Sequence, residues 1–331
     1  ANLYDTLMEY FRNVIITDGV CKNIKNEGQN NDEEYDESKK KLFEEILSTR
    51  VNAKKNLVLA GQKLPCIFYH HGAQSFPFDN NVFCEYMASR GFIVVSSNYN
   101  LPNEKNPQYL NCSLANDCLD DINFVLDFVL RMPEVDTSRI TAIGHSWGAQ
   151  SLILFDNTSY QKRFKKIISL HTTIEDKSLE EAKSSYPSFE YIYSNECKKS
   201  TTPVFLFAAP NSIITNYSID TAGNEKVTKQ TLNVTFNAFR QNKVTPYTFI
   251  TLKHFLNHDG YITLGNLRMP YCKKYNLPDM ISINTQQKYY EKIIKSIEKI
   301  IPKSLINDGL KTIFSNDGNF NVEFCNRISS F

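Results

Sequence analysis

Arg139-Ile-Thr-Ala-Ile-Gly-His-Ser-Trp-Gly-Ala149 is the stretch on which the reading of this chain turns. Ile140 to Ile143 are apolar or β-branched and read as a short buried strand. Gly144-His145-Ser146-Trp147-Gly148 follows as a G-x-S-x-G pentapeptide, and Gln150 to Phe155 carries an apolar pattern of helical length. Strand, tight turn and helix in that order are the context in which the pentapeptide marks a nucleophile elbow. Such a turn strains the serine backbone and lifts its hydroxyl clear of the sheet. Glycines are required two places before and after it, because a Cβ there would strike the neighbouring strand or helix. The backbone N–H of Trp147 is then expected to point at a developing oxyanion.

Working outward, the rest of the chain reads as strands alternating with helices. Pro65–His70 is a buried strand that breaks at His71-Gly72-Ala73. Asn80–Arg90 reads as a helix closed by Gly91, and Phe92–Ser97 as the next strand. Ser113–Met132 is a helix with apolar residues near the 3.6 period. Beyond the elbow come strands at Phe164–Leu170, Thr202–Ala209 and Pro246–Leu252, and helices at Asn224–Gln241 and Thr285–Ile301. The alternation predicts a mostly parallel sheet covered on both faces. Residues 1–63 read as an N-terminal extension with a polar, acidic loop, 64–301 as the catalytic domain and 302–331 as a tail packed upon it. Residues 176–200 are polar and aromatic and are expected to form a small cap insertion.

Composition bounds the function. The 331 residues are 41% hydrophobic and 22% charged, enough for a substantial core, and the net charge of +1 argues against a nucleic-acid surface. No run of 18 apolar residues is present to span a membrane. The chain opens at Ala1 without a charged or apolar leader. A secretion signal is therefore expected to have been removed or never present, with export favoured in the first case. Eight cysteines lie scattered without C-x-x-C or histidine pairing, so neither a metal site nor a cofactor is expected. Cys66 and Cys84 sit in apolar segments and read as core thiols, while Cys112 and Cys118 are close enough in sequence to form a disulfide under oxidising conditions.

All six histidines fall at or just past the C-terminal ends of predicted strands, where open α/β sheets build their sites. His71-Gly72 ends the first clear strand, and the N–H of Ala73 is the expected second oxyanion donor, with His71 beside the substrate. The base must follow the serine in the chain. Thr248-Phe-Ile-Thr-Leu-Lys-His254-Phe-Leu-Asn-His258-Asp259 offers two histidines. His254, close behind the strand end, is expected to be the base, with His258 a structural partner and Phe255 a substrate contact. For the acid, Glu175 ranks first, then Asp176, then Asp220, none of them directly after a strand.

Leu64–Gly72, Tyr86–Val95, Arg139–Gly148, Arg163–Leu170 and the His254–Asp259 spacing together resemble the platelet-activating-factor acetylhydrolase group of the α/β-hydrolases, related to dienelactone-hydrolase-like and cutinase-like esterases. The likeness runs over about residues 64–260 in order and spacing. It implies the α/β-hydrolase fold, Ser146 as nucleophile, His254 as base and the N–H groups of Ala73 and Trp147 as oxyanion donors. In that group an Asp directly follows the strand ending here at Leu170, where this chain has His171. Two arrangements are left open, Glu175 reaching in from a longer loop or an altered triad. The expected activity is that of a serine esterase on a small or lipid-like ester, with no nucleic-acid partner and no transmembrane segment. The alternatives are hydrolysis of peptide or polyester bonds, or a catalytically impaired binding protein on the same scaffold.

Overall fold

A computed structural model describes residues 61–73, 75, 77–99, 112–157, 163–172, 200–208, 213–219, 225–231, 247–252, 258–263, 265–266, 283–302, 314 and 320–325. The chain divides into two compact units, residues 1–52 with 267–279 and residues 53–266 with 280–331. All of the described residues belong to the second.

Its elements in chain order are β1 (Leu64–His70), α1 (Asn81–Ser89), β2 (Ile93–Ser96), α2 (Cys112–Arg131), β3 (Val135–His145), α3 (Trp147–Asn157), β4 (Lys166–Leu170), β5 (Val204–Ala208), β6 (Ile213–Ile219), β7 (Glu225–Thr231), β8 (Tyr247–Leu252), a 3-10 turn (His258–Tyr261), α4 (Ile283–Ile300) and β9 (Phe320–Cys325). Seven strands form one sheet in the order β2-β1-β3-β4-β5-β8-β9. The first six run parallel, and β9 closes the edge antiparallel to β8. The order reverses between β1 and β3. That is the switch point at which a crevice opens beyond the strand ends.

Side chains alternate between two cores, as a pleated strand buried on both faces requires. Cys66, Phe68, Ile140, Ala142, Ile167, Val204, Leu206, Tyr247 and Phe249 pack against α2 and α3. Ile67, Tyr69, Ile143, Ile168, Phe205, Phe207, Ile250 and Leu252 pack against α1 and α4. Burying one such side chain is worth about 1.5–3 kcal/mol, so the sheet centre is the most stable part of this unit. Cys66 is buried and Cys84 half-buried, both free thiols that burial pushes up to about 12. The expected Cys112–Cys118 disulfide falls where side chains lie outside the described residues.

Two expectations change. Glu225–Thr231, expected within a helix over Asn224–Gln241, is a strand paired antiparallel with β6, from Ile213↔Thr231 to Ile219↔Glu225. Its β-branched Val227, Thr228 and Thr231 suit a pleat, and the hairpin link Asp220-Thr-Ala-Gly-Asn224 is rich in turn residues. β3 begins at Val135, five residues before the expected start, because exposed Thr137, Ser138 and Arg139 interrupt the apolar run. Phe320–Cys325, from the expected tail, supplies β9. Residues 173–199, nearly all of the expected cap, lie outside the described residues. No helix among the described residues is long and apolar enough to cross a membrane.

α4 buries Tyr289, Tyr290, Ile293, Ile294, Ile297 and Ile300 on one face and exposes Lys288, Glu291, Lys295 and Lys299 on the other. Its C-terminal carbonyls are capped from across the core. The Lys166 ammonium donates to Ile300 O at 2.7 Å and Ile301 O at 2.6 Å, with the side chain only 5% exposed. Burial lowers its pKa to about 8. Lys166→Met keeps the buried stem and strands both carbonyls. The expected loss is about 2–3 kcal/mol, read as a lower urea midpoint at unchanged slope.

Candidate active site

Ser146 adopts φ 53°, in the left-handed region, between the end of β3 and the start of α3. The surrounding backbone fixes that conformation. Its N–H is shared between Leu170 O at 3.2 Å and His171 O at 3.1 Å, and its own carbonyl accepts from Ala149 N and Gln150 N. A Cβ on Gly144 would lie 2.5 Å from Ala149 N, and one on Gly148 would lie 2.3 Å from His71 O. Both distances are impossible, so the glycines let α3 descend onto the strand ends. A non-glycine residue held here costs about 1–3 kcal/mol, which the flanking hydrogen bonds and packing sustain. With six parallel strands, helices on both faces and this elbow at the switch point, the fold is that of the α/β-hydrolases.

The loop after β1 crosses over the serine. A Cβ on Gly72 would come 3.1 Å from Ser146 Cβ, so the segment carrying Gly72 and Ala73 passes close to Ser146. Trp147 opens α3, where the intrahelical ladder does not use the first N–H groups. Asp79, which the sequence reading passed over, anchors this loop from beneath. Fully buried, it accepts from Tyr69 Oη at 2.8 Å, from Ser75 Oγ at 2.8 Å and from the N–H of Gly72. Burial raises its pKa to about 7, opposed by those three donors. Next to it, Asn80 sits at the N-cap of α1, where its carbonyl accepts from Cys84 N at 3.0 Å but its side chain makes no capping bond. Its Oδ1 accepts from Thr263 N at 3.1 Å, Thr263 Oγ1 at 3.2 Å and Tyr290 Oη.

Five histidines converge on the strand ends. His70, His71 and His145 are buried, and each donates one ring N–H to a carbonyl: His70 Nδ1 to His71 O at 2.9 Å, His71 Nδ1 to Gly72 O at 2.8 Å, His145 Nε2 to His258 O at 3.1 Å. A carbonyl can only accept, so these contacts set all three tautomers. Of the remaining ring nitrogens, His71 Nε2 and His145 Nδ1 have no hydrogen-bond partner among the described residues. Burial holds the three rings neutral, pushing His70 and His145 well down and His71 to about 4. His171, directly after β4 at φ 55°, and His258, opening the 3-10 turn, place their Nδ1 atoms 2.7 Å apart, one donating to the other. The His258 ring also stacks on His145 at 4.5 Å.

The structure thus brings together Ser146, Trp147, Ala73 and His71 of the expected site. His254, Phe255, Glu175, Asp176 and Asp220 lie outside the described residues. Asp79 and the His171–His258 contact had no signal in the linear pattern beyond the clustering of histidines at strand ends. Among the described residues no group of three or more His, Cys, Asp or Glu side chains is arranged to hold a metal ion.

No protein-family model matches the chain, and no curated protein matches it. Among solved structures it is similar to an acylaminoacyl peptidase of Pyrococcus horikoshii, at 16% identity and a TM-score of 0.45 over 76% of this chain and 40% of that one. It is also similar to a dienelactone hydrolase from Anabaena variabilis, at 13% identity and a TM-score of 0.30 over 45% of this chain and 63% of that one. The chain spans less than two thirds of the length of either protein.

Asp79 gives the site a pH signature. Its folded-state value lies above that of an unfolded aspartate, so the folded protein holds an extra proton between about pH 4 and pH 7. The resulting stabilisation is complete below that window and is lost as pH rises through it. Urea midpoints of the wild type and of Asp79→Asn should diverge steadily from pH 4 to pH 7, the wild type losing ground, and run parallel below pH 4.

Proposed function

We propose that this chain is a serine hydrolase acting on carboxylic esters, small or lipid-like. The observation that carries the reading is the left-handed Ser146, pinned at the switch point under the Gly72 loop. Strain of this kind, in a residue that is not glycine, is maintained where it presents a side chain to a ligand.

Ser146 Oγ attacks the ester carbonyl while a histidine of the segment after β8 takes its proton. The N–H groups of Ala73 and Trp147 donate to the tetrahedral oxyanion, each worth about a hundredfold to a thousandfold in rate. Collapse expels the alcohol, protonated by the same histidine, and leaves an acyl-serine. Water, deprotonated in turn by that histidine, releases the carboxylic acid and restores Ser146. Each step uses this chain's own residues. The buried neutral histidines His70, His71 and His145 shape the floor and are not proton carriers at neutral pH.

The test is hydrolysis of p-nitrophenyl acetate and butyrate by the wild type and by Ser146→Ala. Loss of about a thousandfold or more in kcat/KM in the variant is expected. A wild type no faster than the variant on either ester would sink the reading. Turnover of a peptide or polyester panel in place of the esters would redirect it to another leaving group.

A further inference from the structure

His171 and His258 form a contact of the kind that a hydrolytic triad reserves for its third member. In such a triad the base is held through Nδ1 by a partner that sets its tautomer and supports its cation, and the opposite ring edge faces the nucleophile. Here the chain order is Ser146, His171, His258, the order in which this fold strings nucleophile, orienting group and base.

The backbone ties both histidines to the residues around Ser146. His171 N–H donates to Phe207 O at 2.9 Å and His171 O accepts from Ser146 N–H at 3.1 Å, so residue 171 is tied to the sheet on one side and to the serine on the other. Its left-handed φ restricts the position to residues that tolerate it, with Asn, Asp and His enriched there. Its ring stacks on Tyr261 at 5.3 Å. His258 is fixed from the residue preceding the serine, since its carbonyl accepts from His145 Nε2 and its ring lies flat on His145. Unlike the three histidines of the floor it is only partly buried.

We propose that His171 replaces the carboxylate of the triad as the positioning residue, holding His258 through Nδ1 as the general base toward Ser146. The proposal rests on the serine-hydrolase reading above. The tautomers then follow. A base must keep Nε2 unprotonated, so His258 carries its proton on Nδ1 and donates it to Nδ1 of His171, which carries its own proton on Nε2. When Ser146 Oγ bonds to the carbonyl carbon, its proton passes to His258 Nε2, and the new imidazolium keeps its Nδ1–H bond to neutral His171. The proton then leaves with the alcohol. A neutral imidazole fixes the tautomer as a carboxylate does, yet supports the cation only through its dipole. The groups packed about the pair among the described residues are His145 from β3, Asp259 and Tyr261 from the turn, and, behind His145, His71 from the loop after β1.

The test is the rate at which a fluorophosphonate modifies Ser146, followed as a function of pH, with thermal melts to confirm folding of each variant. His258→Gln, which keeps the carbonyl that His145 uses, should react about a thousandfold or more slowly. His171→Asp should label at least as fast as the wild type, with the acid limb of its profile moved to higher pH by about one unit, because an adjacent carboxylate favours the imidazolium. His171→Asn, equally at home in the left-handed region, should remain slow. Identical profiles for the Asp and Asn variants would reduce His171 to a loop former and overturn the proposal. So would near wild-type labelling of His258→Gln, above all alongside abolished labelling of His254→Gln. Failure of the wild type itself to be labelled at Ser146 would instead overturn the underlying reading.

Discussion

Everything at the functional end of this sheet depends on one close approach, that of Gly148 to the carbonyls of His70 and His71. There is no room for a side chain between the first turn of α3 and the end of β1. That contact lets the helix start directly above the switch point. It forces the preceding serine into the left-handed region and brings the Gly72 loop over it. Because the neighbour is backbone and cannot swing aside, the constraint admits no conservative replacement.

The second organising principle is the use of carbonyls to fix imidazoles. Three buried rings each give one N–H to a main-chain oxygen and remain neutral, so they add rigidity without adding charge to the buried floor. One carbonyl belongs to His258, whose own ring then meets His171. The histidines thus fall into a neutral, carbonyl-bonded floor and a pair joined ring to ring. What differs is whether the acceptor is an oxygen that never ionises or a nitrogen that does.

The elbow was legible in the sequence because every part of it is local: an apolar run, two glycines at fixed offsets and a helix start. The six-strand parallel core was legible for the same reason, its strands being short apolar blocks with sharp ends. The clustering of histidines at those ends was visible too, but not which ring faces which, because pairing at the strand tips is decided by register across the sheet. Asp79 was hidden differently. A lone carboxylate one turn ahead of a helix reads as a solvated charge favouring the helix N-terminus, and only the fold shows Tyr69, Ser75 and Gly72 turned toward it. β7 was lost because a polar strand outside the main sheet carries little apolar period, and the amphipathic reading won by default.

Asn80 stands where a helix would ordinarily be capped, yet its side chain leaves that task undone and gives its oxygen to Thr263 and Tyr290. A cap is a local investment that stabilises one helix. This carboxamide instead joins three stretches of chain that meet nowhere else in sequence: the segment leading from the Gly72 loop into α1, the segment beyond the 3-10 turn, and α4. When thermal motion frees the oxygen, the roof over the serine and the support of His258 lose an anchor together. The two halves of the site therefore loosen as one cooperative unit rather than fraying separately, and partial opening does not leave a half-assembled centre standing.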